Sequence, residues 1–116
     1  QELTAVHRKT EIDSITTGAA NGVDTIALDW ARFYGVTAHE FPADWATHQR
    51  AAGPIRNRHM LRTTARRYGV DNCVVIGFTR VPLEQSRGTS NCLEVAAKDF
   101  NYRTHLFRLD LNRLEF

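Results

Sequence analysis

Residues 15–27 read ITTGAANGVDTIA, and the interpretation of the whole chain starts from this stretch. It combines the β-branched residues of a short strand, a loop of small residues that includes Gly18 and Gly22, and the start of a helix. A helix that begins directly after such a loop presents unpaired N–H groups and the positive end of its dipole, and both attract anions. Ligand-free turns between a strand and a helix show the same pattern, so the stretch alone favours neither interpretation.

The length and composition are those of a single globular domain. The chain has 116 residues, of which 42% are apolar and 24% charged, so one domain spanning residues 1–116 can bury a core. No apolar run reaches membrane-spanning length, and the first residues lack the layout of a signal peptide. Since the two cysteines form no C-x-x-C pair, we expect reduced thiols and a cytoplasmic location without membrane association.

Charge and histidine content narrow the ligand classes. A net charge of +2 is too small to indicate nucleic-acid binding by itself. Arginine greatly outnumbers lysine, and its planar guanidinium suits bidentate contacts with phosphate. The 5 histidines show no metal-ligand spacing; only His48 falls in a predicted site loop. We therefore predict no metal and no cofactor.

Helical and apolar segments alternate along the chain. The patterns predict helices over 2–9, 23–34, 54–68 and 89–100, and strands over 12–17, 36–41, 72–78 and 103–109. In the 23–34 helix the apolar residues recur every three or four positions and predict the core face: Val23, Ile26, Ala27, Trp30, Ala31 and Tyr34. This alternation predicts an α/β fold, a Rossmann-like three-layer α/β/α sandwich with a mainly parallel sheet.

Three loops leave the carboxyl ends of the predicted strands, where ligands bind in such sheets. They cover 17–24, 42–53 and 79–89, and all are polar or rich in glycine. The predicted ligand-binding residues come from these loops and the helix starts that follow them: Gly18, Ala19, Asn21, Gly22, Asp24, Asp44, Trp45, Arg56, Asn57, Arg58, Arg87, Gly88, Thr89 and Ser90.

Several of these residues can also be explained by a structural role that involves no ligand. Asp24 can brace its loop or complement the helix dipole, and Trp45 can stack on a base or anchor its loop in the core. Arg56 and Arg58, which we place in the first turn of the 54–68 helix, oppose the dipole there, and this favours an anionic ligand. Thr89 or Ser90 can cap the last helix. The candidates for general acid or base are the carboxylates near the loops: Asp24, Asp44, Glu84 and Glu94.

Four blocks of the sequence, in order, resemble a known family. They are TGAANGVD at 17–24, FPADW at 41–45, AAGPIRNRHM at 51–60 and SRGT at 86–89. Together they resemble the YspA-like (YpsA-related) branch of the SLOG superfamily, which also includes the LOG phosphoribohydrolases and the DNA-processing protein. The middle two blocks are the most specific.

The resemblance implies a Rossmann-like fold, a pocket for a nucleotide or nucleotide-derived molecule used for sensing or binding, and a homodimer. Arg56 and Met60 match the R-K-x-x-M segment of the LOG enzymes, which marks Arg56 as a catalytic candidate for hydrolysis of a nucleotide N-glycosidic bond. Gly88 and Thr89 match the end of the LOG P-G-G-x-G-T-x-x-E loop. The third alternative, single-stranded nucleic-acid binding, depends on the arginine-rich 54–68 helix.

The sequence also departs from the family pattern. The glutamate that completes the LOG loop would fall at Cys92, and Glu94 lies two positions too late, so the resemblance favours binding over hydrolysis. Ala19 and Asn21 replace a usual glycine and arginine. The family begins with a strand and a G-x-R-type loop ahead of the first helix, whereas this chain begins inside that helix. We expect either that the sequence is N-terminally incomplete, or that the tail 110–116 or a partner chain fills the place of that strand, because an unfilled gap leaves buried backbone groups unpaired.

Overall fold

The computed structural model of the protein describes residues 4, 12–18, 23–79 and 87–108, with the backbone alone at 23–25, 79, 107 and 108. The described elements are β1 (Ser14–Thr17), α1 (Val23–Tyr34), β2 (Thr37–Glu40), α2 (Trp45–His48), α3 (Ala52–Tyr68), β3 (Val74–Thr79), α4 (Arg87–Phe100) and β4 (Arg103–Arg108), with 3₁₀ turns at Gln49–Ala51 and Val70–Asn72. The chain falls into two compact units, Gln1–Ala43 and Asp44–Phe116.

The first unit is a parallel strand–helix–strand segment. β1 and β2 pair in parallel, with Ser14 opposite Thr37, and α1 connects them. α1 ends where predicted because Gly35 takes the left-handed conformation, with φ of +67°. Trp30 and Ala31 are buried, and the Trp30 indole N–H donates to the Thr4 hydroxyl over 3.0 Å. The predicted strand–helix–strand order over 12–41 is confirmed, and both strands are shorter than predicted.

The apolar stripe of α1 is only partly buried. Ile26 belongs to the face predicted for the core, yet it is 55% exposed, and Phe33 is 83% exposed. The prediction that all stripe residues face the core is therefore wrong at Ile26 and at Tyr34, which is 45% exposed. The periodicity of a helix shows which residues share a face, but a face that meets solvent or a partner has the same period as one that meets the core.

The second unit contains a parallel β3–α4–β4 segment with α3 packed against α4. β3 and β4 pair in parallel, with Val74 opposite Arg103. Its core is centred on Leu61, Ala96 and Tyr102, and the Tyr102 hydroxyl donates to the Leu61 carbonyl. Burial raises the pKa of Tyr102 to about 12. Cys73 packs against the same cluster, and burial raises the pKa of its thiol as well.

α4 lies unusually close to β3 at Gly77. A Cβ atom at Gly77 would lie 2.8 Å from Cγ2 of Thr89 and 3.0 Å from Cδ1 of Leu93. Only a residue without a side chain fits between the strand and the helix at this point. The contact fixes the N-terminal half of α4 against the sheet.

Three predicted boundaries are corrected by the structure. The predicted loop 42–53 is largely helical: it contains α2 and a 3₁₀ turn, and α3 begins at Ala52, because Asp44 caps α2 and a helix tolerates Pro54 in its first turn. α4 begins at Arg87, so Thr89 and Ser90 lie inside the helix and the prediction that one of them caps it is wrong. β3 begins at Val74 because a 3₁₀ turn occupies Val70–Asn72.

The α/β class with parallel strands is confirmed. Apart from Thr4, the predicted helix 2–9 lies outside the described residues, as do most of the loop 79–88 and the tail 110–116. Within the described ranges, no helix is both long and apolar enough to cross a bilayer.

Candidate functional site

The centre of the candidate site is the buried side chain of Asn57, which is 4% exposed. Its amide nitrogen donates to the Asn91 side-chain oxygen over 3.1 Å and to the Gly88 carbonyl over 3.4 Å. Its amide oxygen accepts a 2.8 Å hydrogen bond from Nε of Arg56. Because both amide hydrogens and one oxygen lone pair are used within the protein, Asn57 joins α3 to α4 and orients Arg56.

Arg56 is the predicted site residue whose placement depends most on this network. It lies in the second turn of α3, not in the first as predicted, because the helix begins at Ala52. Asn57 holds it through Nε, next to the start of α4. A guanidinium is a planar donor group that can bind two oxygens of a phosphate.

The N-terminus of α4 contributes backbone N–H groups. Arg87, Gly88 and Thr89 are the first three helical residues, and such N–H groups have no carbonyl partner within the helix. A Cβ atom at Gly88 would meet nothing within 4 Å, so a small side chain could be added at this position without a contact. The first turn carries no acidic residue to compete for an anion.

Two further predicted site residues, Ser90 and Arg58, lie at different distances from the start of α4. Ser90, in the same turn of α4, is half-buried. Arg58 forms a 2.7 Å ion pair with Asp99, which lies near the C-terminal end of α4. The structure therefore brings Arg56, Asn57 and Gly88 together, and places Arg58 in a surface ion pair.

Asp44 and Trp45 open the second predicted loop, in the same unit. The Asp44 carboxylate caps α2 by accepting from the Thr47 backbone N–H over 3.1 Å. Hydrogen bonding from the Thr47 side chain, and then from its backbone N–H, lowers the pKa of Asp44. A carboxyl group that is ionised in this way is a poor proton donor at neutral pH. Trp45 is 59% exposed, and its ring lies against Gly53, so one part of the ring packs on α3 while the rest is open to solvent. His48 is exposed at the end of α2.

The first predicted loop belongs to the other unit. Gly18 follows β1 and is half-buried, and Asp24 lies in the first turn of α1, where only its backbone is described. Ala19, Asn21 and Gly22 lie outside the described residues. Their role in ligand binding remains a prediction from the sequence.

The position that the LOG loop motif assigns to a glutamate is occupied by a different residue in this chain. Cys92 occupies it and packs against the core of the second unit. Glu94 is exposed and pairs with Lys98 over 3.2 Å on the surface of α4. Glu84 lies outside the described residues. Among the residues that the structure does describe, no group of three metal-ligating side chains occurs.

Sequence reasoning missed Asn91 as a site residue and the linking role of Asn57. Asn91 ends the polar run at 86–91 and lies one turn after Gly88. The only available signal was this spacing, which places both residues on one side of the helix. The pairing partner, 34 positions earlier in the chain, is visible only in the structure.

Comparisons with known proteins bear on this arrangement. The model of the family described as "YspA, cpYpsA-related SLOG family" matches residues 1–48. A relative, the Gene 61 protein of Mycobacterium phage D29, is 36% identical over 86 residues, which are 70% of this chain and 61% of the phage protein. The chain therefore spans less than two thirds of that relative's length. No solved structure matches the chain.

The parallel α/β units define a protein of the Rossmann-like class. The family match confirms the resemblance seen in the sequence: residues 1–48 match the model of the YspA, cpYpsA-related SLOG family. The blocks at 17–24 and 41–45 fall within the matched residues, whereas the blocks at 51–60 and 86–89, which contain Arg56 and Gly88, lie beyond them.

Proposed function

We propose that this protein binds a nucleotide or a nucleotide-derived small molecule through its phosphate, as a sensor or binding module. One observation carries the proposal: Asn57 holds Arg56 beside the N-terminus of α4 through hydrogen bonds of 2.8–3.4 Å. A guanidinium and the open N–H groups of a helix start are two independent phosphate-binding elements. Buried hydrogen bonds that maintain their spacing reduce the entropic cost of binding.

The charges around this region also favour an anion. α3 and α4 have no acidic residue in their first turns. Asp99 and Glu94, both on α4, are paired with Arg58 and Lys98 further along the helix. A phosphate at the start of α4 would therefore meet a positive side chain and a positive dipole end without a competing carboxylate in that turn.

The exposed part of the Trp45 ring supplies the second half of a nucleotide-binding surface. Aromatic side chains stack on any base because every base has a π-face, and one such contact contributes about 1–3 kcal/mol. Trp45 packs on Gly53 in the first turn of α3, the helix that carries Arg56. We propose that Trp45 contacts the base and Arg56 the phosphate. The residues of the first loop stay a sequence-based prediction.

A thermal-shift screen tests the proposal. The protein is heated with nucleoside mono- and diphosphates, cyclic nucleotides and sugar phosphates. A ligand present at about 100 times its Kd raises the free energy of unfolding by about 2.7 kcal/mol, which is a shift in Tm of roughly 10 °C for a domain of this size.

The matched variants are Arg56→Ala and Arg62→Ala. Both remove one arginine from α3, and Arg62 is exposed on its surface. We expect the shift to disappear in Arg56→Ala and to persist in Arg62→Ala. No shift with any compound, or equal shifts in the two variants, would overturn the proposal. Release of free base from a nucleoside monophosphate would replace binding by hydrolysis as the function.

A further inference from the structure

Asn91 belongs to the hydrogen-bond network of the candidate site, but the proposed function gives it no role. It lies in the second turn of α4 and is half-buried. Its side-chain oxygen accepts the 3.1 Å hydrogen bond from the amide nitrogen of Asn57. The amide oxygen of Asn57 in turn accepts from Nε of Arg56 over 2.8 Å. Asn91 is therefore linked to Arg56 through the two ends of one amide group.

The chemistry of its partners allows the Asn57 amide only one orientation. Nε of Arg56 can donate but not accept, so the Asn57 atom that faces it must be the oxygen. The Gly88 carbonyl can accept but not donate, so the atom that faces it must be the amide nitrogen. In a flipped amide the NH2 group would meet the Nε–H of Arg56, and the bond that holds Arg56 would be lost. Whatever prevents the flip therefore also keeps Arg56 in place.

Asn91 provides the better of the two acceptors for the amide nitrogen of Asn57. The bond to Asn91 measures 3.1 Å, whereas the bond to the Gly88 carbonyl measures 3.4 Å, near the limit for a hydrogen bond. Gly88 is also exposed in the first turn of α4, where water competes for its carbonyl, whereas Asn91 is half-buried. The orientation of the amide therefore depends mainly on Asn91.

The packing of α4 on the sheet fixes the position of Asn91. A Cβ atom at Gly77 would lie 2.8 Å from Thr89 and 3.0 Å from Leu93, so these two residues of α4 lie against β3. Asn91 lies midway between them in sequence, and helical residues two positions apart face different directions. Its side chain accordingly meets Asn57 of α3 rather than β3. The sheet thus holds α4, and α4 holds the oxygen that orients Asn57.

We propose that Asn91 is a positioning residue for phosphate binding: its side-chain oxygen fixes the Asn57 amide, which keeps Arg56 beside the start of α4. This inference rests on the proposed function for its ligand, and it assigns part of the affinity to a residue that acts through Asn57 and Arg56.

Asn91→Leu keeps the approximate size of the side chain and removes the acceptor. A neutral hydrogen bond shifts an equilibrium by about fivefold. We therefore expect this variant to bind a nucleoside monophosphate about fivefold more weakly and the nucleoside as well as the wild type does. Asn91→Ala, which also removes the oxygen, is a second variant with the same expected result. Circular dichroism verifies that both variants fold.

The first experiment needs no ligand. NMR spectra of the ¹⁵N-labelled protein show the arginine Nε–H groups, and the signal of Arg56 is the one that disappears in Arg56→Ala. The hydrogen bond to Asn57 slows the exchange of this proton with water. We expect Asn91→Leu to speed its exchange about fivefold and to leave the signal of exposed Arg62 unchanged. An unchanged exchange rate at Arg56 overturns the proposal, whether or not a ligand binds.

The second experiment is a double-mutant cycle. Calorimetry gives the affinities of a nucleoside monophosphate and of its nucleoside for the wild type, Asn91→Leu, Arg56→Ala and the double variant. If Asn91 acts through Arg56, Asn91→Leu weakens monophosphate binding in the wild type but causes no further loss once Arg56 is absent. Losses that simply multiply in the double variant show that Asn91 acts independently of Arg56, and they overturn the proposal.

Tyr102→Phe is the control for a general loss of stability, because it removes one hydrogen bond from the core of the same unit. It should leave the preference for the monophosphate unchanged. An equal reduction of that preference in Tyr102→Phe and Asn91→Leu would mean that stability alone is responsible, and this overturns the positioning role. A wild type without any preference for the monophosphate would overturn the proposed function instead, and the ligand-free NMR result still decides whether Asn91 positions Arg56.

Discussion

Replacing Asn57 by alanine tests how the candidate site is held together. Asn57→Ala removes three hydrogen bonds at once: one from Nε of Arg56 at 2.8 Å, one to Asn91 at 3.1 Å and one to Gly88 at 3.4 Å. Asn57 itself is buried, whereas its partners are only partly buried or exposed and regain some contact with water when the hydrogen bonds are lost. The substitution also leaves a small cavity between α3 and α4.

The three bonds are not equivalent. The bond from Arg56 is charge-assisted and contributes about 1.5–3 kcal/mol, whereas a neutral bond contributes about 1 kcal/mol. The bond to Gly88 is near the upper limit of hydrogen-bond length and adds little. Arg56 is only partly buried and regains water, which reduces the loss. We expect the free energy of unfolding to fall by about 2–3 kcal/mol.

Urea denaturation measures this loss, with the m-value as a check that the transition stays two-state. Asn72→Ala is the matched control, because exposed Asn72 donates only to the Tyr68 carbonyl, over 2.9 Å; it should cost less than about 0.5 kcal/mol. A loss in Asn57→Ala no larger than the loss in Asn72→Ala would show that Asn57 does not link the two helices.

Three other substitutions probe the frame around the site. Gly77→Ala should lower the free energy of unfolding by about 1–3 kcal/mol, because α4 must move away from β3. Gly88→Ala should not lower it, because a Cβ atom there meets nothing within 4 Å. Thermal melts of the two variants test this difference. Tyr102→Phe should cost about 1 kcal/mol through the lost hydrogen bond. It should also flatten the alkaline loss of stability, because the pKa of Tyr102 is raised to about 12 in the folded state, above the ordinary tyrosine value of about 10. The wild type therefore loses at most about 1.4 kcal/mol of stability per pH unit between pH 10 and 12. An unchanged slope in urea titrations contradicts this. Gln49→Gly should raise the free energy of unfolding by about 1 kcal/mol, because Gln49 has φ of 51° and ψ of −125°, a conformation that suits glycine. Asn101→Gly should change the free energy of unfolding little, because Asn101 has φ of 60° and asparagine tolerates the left-handed region.

Much of the fold could be predicted from the sequence where the local signals are strong. α1 was predicted at its observed bounds because the apolar period is regular and Gly35 ends the helix. The parallel strands were predicted because apolar runs alternate with helices. The segment 45–51 was predicted as a loop because its polar and small residues have no apolar period, although Asp44 caps a short helix there.

The site was predicted only in part, because the contacts that build it are distant in sequence. Arg56 and Gly88 were chosen as separate residues, and nothing in the sequence shows that Asn57, 31 positions before Gly88, bonds to it. Arg58 was predicted together with Arg56, yet helical residues two positions apart face different directions, and Arg58 pairs with Asp99. The exposure of Ile26 was also unpredictable, since an exposed apolar face has the same period as a core face.

The most direct test of nucleotide binding compares a nucleoside monophosphate with its nucleoside by isothermal titration calorimetry. The two compounds share the base and ribose and differ only in the phosphate. We expect the monophosphate to bind wild-type protein at least tenfold more tightly than the nucleoside, and this difference to vanish in Arg56→Ala while Arg62→Ala retains it. Equal affinities of the two compounds for the wild type, or an undiminished preference for the monophosphate in Arg56→Ala, would contradict a phosphate site formed by Arg56 and the start of α4.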